Sequence, residues 1–155
     1  MTSTRTTVGV LLLIYLALLG TLTFRPAGSA GTQPDLRINV RPFATIAPAL
    51  RAGPRSFAFR VMVGNVLAFI PLGLLVPLAR PRYGVALALL IGLALSAATE
   101  LGQLGVSLAV GFGYRSTDID DIILNVLGTA IGALTIVTIT QLRLLFSAPR
   151  STDHP

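Results

Sequence analysis

The sequence predicts an all-α, polytopic membrane protein: four transmembrane helices in a small bundle. Three observations lead there. The chain is 53% hydrophobic with a mean hydropathy of +0.79. Only 12% of its residues are charged, about half the share in soluble domains. Four apolar runs each have about the 20 residues needed to cross a hydrocarbon core of about 30 Å. The 155 residues are one domain's worth, read as a membrane domain over 1–145 followed by a polar tail, 146–155.

The first span, Thr7–Phe24 (TVGVLLLIYLALLGTLTF), carries no charge. Small residues follow it at Ala27-Gly28-Ser29-Ala30, as they do before a cleavage site. The apolar run is longer than the core of a leader peptide, so a retained span is expected. A loop rich in proline and arginine runs from Arg25 to Arg60. Its stretch RPFATIAPALRAGPRSFAFR sets Phe43, Ile46, Leu50, Phe57 and Phe59 among four arginines. Pro48 and Pro54 preclude one continuous helix there. Two readings stay open: a segment lying on lipid headgroups and a solvated linker.

The second span, Val61–Ala79, contains Pro71 and Pro77, which membrane helices tolerate and which are expected to kink it. The third, Tyr83–Leu101, is expected to run a turn or two past Glu100. The short link Arg80–Arg82 makes the second and third spans a helical hairpin. The fourth span is Ile122–Thr140. Four spans put the Arg25–Arg60 and Gly102–Thr117 loops on the same side of the membrane. Which side is open. With the N-terminus inside, five arginines lie in the cytoplasm and seven opposite, so the positive-inside rule leans towards the reverse.

Several chemistries are excluded. There is no cysteine, hence no disulfide, zinc-thiolate or thiol nucleophile. The one histidine, His154, falls in the polar tail. The net charge of +6 comes from arginine alone. In a soluble protein this would suggest nucleic acid. Beside four spans, anionic headgroups and lipid-linked phosphates are the nearer partners, and nucleic acid is not expected. No Walker loop, Gly-x-Ser-x-Gly elbow or HExxH motif is present.

What stands out is TELGQLGVSLAVGFGYRSTDIDDIILNVLG, Thr99–Gly128, which holds four of the six carboxylates. Ser96, Glu100, Gln103 and Ser107 are spaced four, three and four, one face of a continued helix. Asp118, Asp121, Asn125, Gly128 and Gly132 are spaced three, four, three and four, and share a face too. Both stripes lie towards one membrane surface, with Asn65 at a similar depth. An ionised acid at mid-bilayer costs about 2.5–3.5 kcal/mol and so faces inward to a partner. The expected ligand pocket is therefore Asn65, Glu100, Gln103, Arg115, Asp118, Asp121 and Asn125, with Arg115 the counter-ion. Glu100 and Asp121 are the candidate catalytic groups should the protein be an enzyme.

Structural readings stand beside this one. Thr117 and Asp120 fit a helix-capping box with Asp in place of Glu, which assigns Asp120 to capping. Gly128 and Gly132 read as small-xxx-small helix packing. Glu100, Arg115, Asp118 and Asp121 can form a purely structural ion network. Oxygen ligation of Mg²⁺ or Ca²⁺ by Asp118, Asp120, Asp121 and Glu100 is disfavoured. Neighbouring acids point about 100° apart on a helix, and Arg115 competes for them. No metal and no cofactor are expected.

Glu100, Gln103, Arg115, Asp118, Asp121, Asn125, Gly128 and Gly132, in ATELGQLG…GYRSTDIDDIILNVLGTAIG, resemble the signature of the VanZ-like membrane proteins. GNVLAFIPLG (Gly64–Gly73) is similar to the family's second block and NVRPF (Asn39–Phe43) to its loop block. The resemblance covers about Asn39–Gly132, with the first span matched by position. The departure is LGVSLAVGFGY after Gln103, more apolar than an exposed loop and open to reading as a helix extension or a re-entrant turn. The resemblance implies a multi-pass protein of the cell membrane, in a family whose founding member is associated with teicoplanin resistance.

Three functions follow as expectations. The first is an envelope protein that binds or modulates a lipid-linked cell-wall precursor, with arginines meeting phosphate and the pocket orienting polar groups. The second is a membrane enzyme on a lipid-linked phosphate substrate, with Glu100 as general acid or base and Arg115 holding phosphate. A small transporter ranks third, because one protomer has few spans; a homo-oligomer formed through the Gly128 face could supply more.

Overall fold

The computed structural model describes residues 2–24, 37–81, 84–110 and 116–147. In chain order these form α1 (Thr2–Thr23), β1 (Ile38–Asn39), α2 (Ile46–Ala52), α3 (Phe57–Ala79), α4 (Gly84–Val110), β2 (Thr117–Asp118) and α5 (Ile119–Ser147). Four of these helices, α1, α3, α4 and α5, are long and apolar enough to cross a membrane. The molecule is a four-span helical membrane protein.

The helices run longer than the apolar runs suggest. Helix α3 starts at Phe57 because Ser56 caps it, its side chain accepting from the Phe59 N–H at 3.1 Å. It continues through Pro71 and Pro77 as one helix. In α4, Leu104 to Val110 extend the helix and form no re-entrant turn. Nothing in that run removes a backbone donor, and α4 keeps one inward face to its end: Ala88, Gly92, Ser96, Glu100, Gln103 and Ser107 are all buried.

Helices α3 and α5 form the centre of the bundle. Gly128 lies against the Val66 carbonyl and Gly132 against the Ile70 carbonyl. From the other side, Gly73 lies against the Thr129 carbonyl. A Cβ at any of the three would overlap backbone, which cannot swing aside as a side chain can. This close approach is the small-residue packing of membrane helices. The Gly128 face is thus occupied by α3 of the same chain, and is not the free surface through which the transporter reading could add spans. Around this seam Leu19, Phe69, Leu72, Val76, Ala88 and Ala133 make the core. Tyr15 ties α1 to the bundle by donating to the Ala68 carbonyl at 3.0 Å. Leu13, Leu67, Leu90 and Leu134 point outward, the disposition that suits contact with lipid tails.

Residues 37–60 are folded onto the end of the bundle and do not form a solvated linker. Strand β1 pairs in parallel with β2, Ile38 opposite Thr117 and Asn39 opposite Asp118. Pro48 falls in the first turn of α2, where a missing N–H costs little. Gly53, at φ 77°, ends that helix.

Candidate functional site

Asp120 organises the loop. It is fully buried and sits in the first turn of α5. Its Oδ1 accepts from the Phe43 N–H at 2.5 Å. Its Oδ2 accepts from the Thr45 N–H at 2.7 Å, the Thr45 hydroxyl at 2.8 Å and the Ile46 N–H at 3.1 Å. Thr45 stands at the N-cap of α2 but makes no cap with its own side chain. Asp120 supplies that cap from another helix. It also holds Phe43 at φ 65°, a left-handed conformation that costs a non-glycine residue about 1–3 kcal/mol.

The capping box expected of Thr117 and Asp120 is therefore corrected. The cap of α5 is Asp118, whose Oδ1 accepts from the Asp120 N–H at 2.9 Å, the geometry of an N-cap to the second helical residue. Among the described residues the Thr117 hydroxyl has no hydrogen-bond partner. The same Asp118 oxygen takes the Asn39 side-chain amide at 2.7 Å, locking β1 to β2. The Asp118 N–H donates to Glu100 Oε2 at 2.9 Å.

With the loop pinned, Asn65, Glu100, Gln103, Asp121 and Asn125 meet around one cavity of about 180 Å³. Leu19, Leu22 and Phe69 form its apolar wall. Each polar group is held. Asn65 Nδ2 donates to Asp121 Oδ1 at 2.5 Å, Gln103 Nε2 to the Thr23 carbonyl at 3.0 Å, and Asn125 Nδ2 to Ser96 Oγ at 2.9 Å. Glu100, Gln103 and Asn125 are each 4% exposed, so their orientations are set by packing and not by solvent.

Asp118 lines a different cavity, of about 440 Å³, with Arg37, Ile46, Phe57, Met62 and Leu124. Asp121 lines both and so forms the wall between them. Arg115, the expected counter-ion, lies outside the described residues. Among the described residues no group of three or more acidic, histidine or cysteine side chains has the arrangement to hold a metal ion. Asp118 Oδ1 and both Asp120 oxygens accept from backbone, hydroxyl and amide donors.

Sequence reasoning missed three contributors. Arg37 reaches the second cavity, and its carbonyl accepts from the Thr117 N–H at 3.0 Å. Asn39 carries a signal only as part of NVRPF. Thr99, lining the polar cavity, has no mark beyond adjacency to Glu100. Neither a curated protein nor a solved structure matches the chain. The family model described as VanZ/LLP1 matches residues 12–141, which include both polar stripes, the loop and all three glycines of the α3–α5 seam. The chain belongs to the VanZ/LLP1 family.

Proposed function

We propose that this protein works in the cell membrane as an envelope protein that binds a lipid-linked cell-wall component, and that glycopeptide susceptibility is its readout. The observation that carries the reading is the polar cavity of Asn65, Glu100, Gln103, Asp121 and Asn125 in a bundle of four long apolar helices. Buried polar groups in a membrane helix are costly and are retained for work or for pairing. Here they surround an open volume. Arg37, Arg41, Arg51, Arg55 and Arg60 are exposed on the adjoining loop and α3 start, where they suit phosphates at the membrane surface.

The test is teicoplanin susceptibility in a host that responds to the wild-type protein. Glu100→Gln and Asp121→Asn, expressed at wild-type level, should return the host to its susceptibility without the protein. Unchanged resistance in both variants overturns the reading. The burial of Glu100 beside the cavity favours a second one, an enzyme that uses this carboxyl as general acid or base. Retained turnover of a lipid-linked substrate by Glu100→Gln would remove that role.

A further inference from the structure

Charge is segregated at the end of the bundle where α3 and α5 begin. Residues 37–60 contain five arginines, Arg37, Arg41, Arg51, Arg55 and Arg60, and no acid. All five are exposed. The acids of the same end are turned inward: Glu100, Asp118 and Asp120 are buried and Asp121 is half-buried. Among the described residues no acid is exposed, so the surface here carries positive charge alone.

Large apolar side chains stand between these arginines. Val40 is 76% exposed, Phe43 60%, Leu50 56% and Phe57 75%. Such residues scattered singly need no explanation, whereas several in one short basic segment mark a surface that meets something apolar. Arg37, Ile46, Ala49 and Phe57 line one cavity, so β1, α2 and the start of α3 are packed side by side. The segment is not free to fold its apolar groups inward. Asp120 accepts from the backbone of Phe43, Thr45 and Ile46, and Phe43 is held at φ 65°. A buried carboxylate and a strained backbone thus keep a phenyl ring at the surface.

The level of this surface is fixed as well. Phe57 and Arg60 fall in the first turn of α3, a helix long and apolar enough to cross a membrane. Residues packed beside that turn lie where the hydrocarbon ends. There apolar side chains reach the acyl boundary, and arginines extend along their own stems to phosphate.

We infer that residues 37–60 form a preformed platform that docks on anionic phospholipid headgroups around the bundle. Val40, Phe43, Leu50 and Phe57 enter the leaflet, and the arginines bind lipid phosphates. A zwitterionic lipid carries its own cation beside the phosphate. An anionic lipid does not, and a basic surface with no exposed acid selects it. The platform needs no ligand in the polar cavity and stands whether or not that cavity binds one.

The chain contains no cysteine, so Leu50→Cys in the full-length protein gives one attachment point for an environment-sensitive fluorophore. The labelled protein is placed in lipid nanodiscs, both faces of which are open to solvent. The discs are made of phosphatidylcholine alone or mixed with phosphatidylglycerol. Acrylamide, an uncharged aqueous quencher, should quench the label about threefold less in the mixed discs, and a nitroxide carried near the lipid headgroup should quench it more. Equal shielding in both discs overturns the choice of anionic lipid. Full access to acrylamide in both overturns the platform and leaves this face to a protein partner. Arg41→Gln, Arg51→Gln and Arg55→Gln together should return the mixed-disc signal to the phosphatidylcholine value, and a retained difference overturns the role of the arginines. Ala47, also exposed on α2, supplies a second attachment point should Leu50→Cys fail to fold. Quenching reads the loop and susceptibility reads the cavity, so either inference can fail alone.

Discussion

Asp120 and Thr45 lie 75 residues apart in the chain, and one carboxylate oxygen joins them by two hydrogen bonds, from the Thr45 N–H at 2.7 Å and its hydroxyl at 2.8 Å. With Phe43 and Ile46 on the same carboxylate, this is the fastening that holds the arginine loop over the bundle. Asp120→Asn replaces one acceptor oxygen by a donor facing N–H groups. The expected loss is about 3 kcal/mol or more, since hydrogen bonds to a charged group contribute about 1.5–3 kcal/mol each. Thermal unfolding in detergent measures it. A variant within about 1 kcal/mol of wild type would show that the loop holds itself.

The glycines of the bundle divide into two classes that a thermal scan can separate. Gly73→Ala, Gly128→Ala and Gly132→Ala each drive a methyl into the backbone of the facing helix, and each should destabilise by about 1–3 kcal/mol or more through overpacking. Gly20→Ala and Gly105→Ala meet nothing within 4 Å and should be neutral or slightly stabilising, because alanine favours the helix by about 1 kcal/mol. Equal effects in the two classes would contradict the close α3–α5 crossing.

Glu100 has a positional duty separable from its charge. Its Oε2 accepts the Asp118 N–H at 2.9 Å, which a glutamine carbonyl can also do. Glu100→Gln should therefore stay folded, and Glu100→Leu should lose about 1–3 kcal/mol by leaving a buried donor unpartnered. The comparison is made on unfolding temperature and on yield of monodisperse protein. If glutamine destabilises as much as leucine, the charge itself holds the fold.

The absence of cysteine makes the chain ready for topology mapping. Ser116 is exposed and sits where β2 begins. Ser116→Cys should react with a membrane-impermeant thiol reagent in intact cells if the cavity faces outward, towards an external glycopeptide. Reaction only after permeabilisation would put the cavity on the cytoplasmic side and exclude that contact.

Much of the architecture is legible along the chain. Apolar length marks the four spans because the bilayer fixes how many residues a helix needs. Helical spacing puts Ser96, Glu100, Gln103 and Ser107 on one face, and the structure buries all four. The helix ends are less legible. Leu104–Val110 is apolar but follows the charged end of a span, so local pattern cannot separate an extended helix from a re-entrant turn.

The roles of the acids were the hardest to read. Asp118, Asp120 and Asp121 are near neighbours of one residue type, yet each does something different. Asp118 caps α5 and takes the Asn39 amide, Asp120 grips the loop backbone, and Asp121 holds Asn65 and divides the two cavities. Spacing gives the direction of a side chain around its own helix axis. It does not give what stands there. The sequence by itself determined the spans, their inward faces and the residue types gathered at one membrane surface, because hydrophobic length and helical period are local properties. Only the tertiary structure decided which carboxylate pins the loop, which lines the cavity and which face of α5 is already filled, because those depend on partners brought from 18 to 79 residues away.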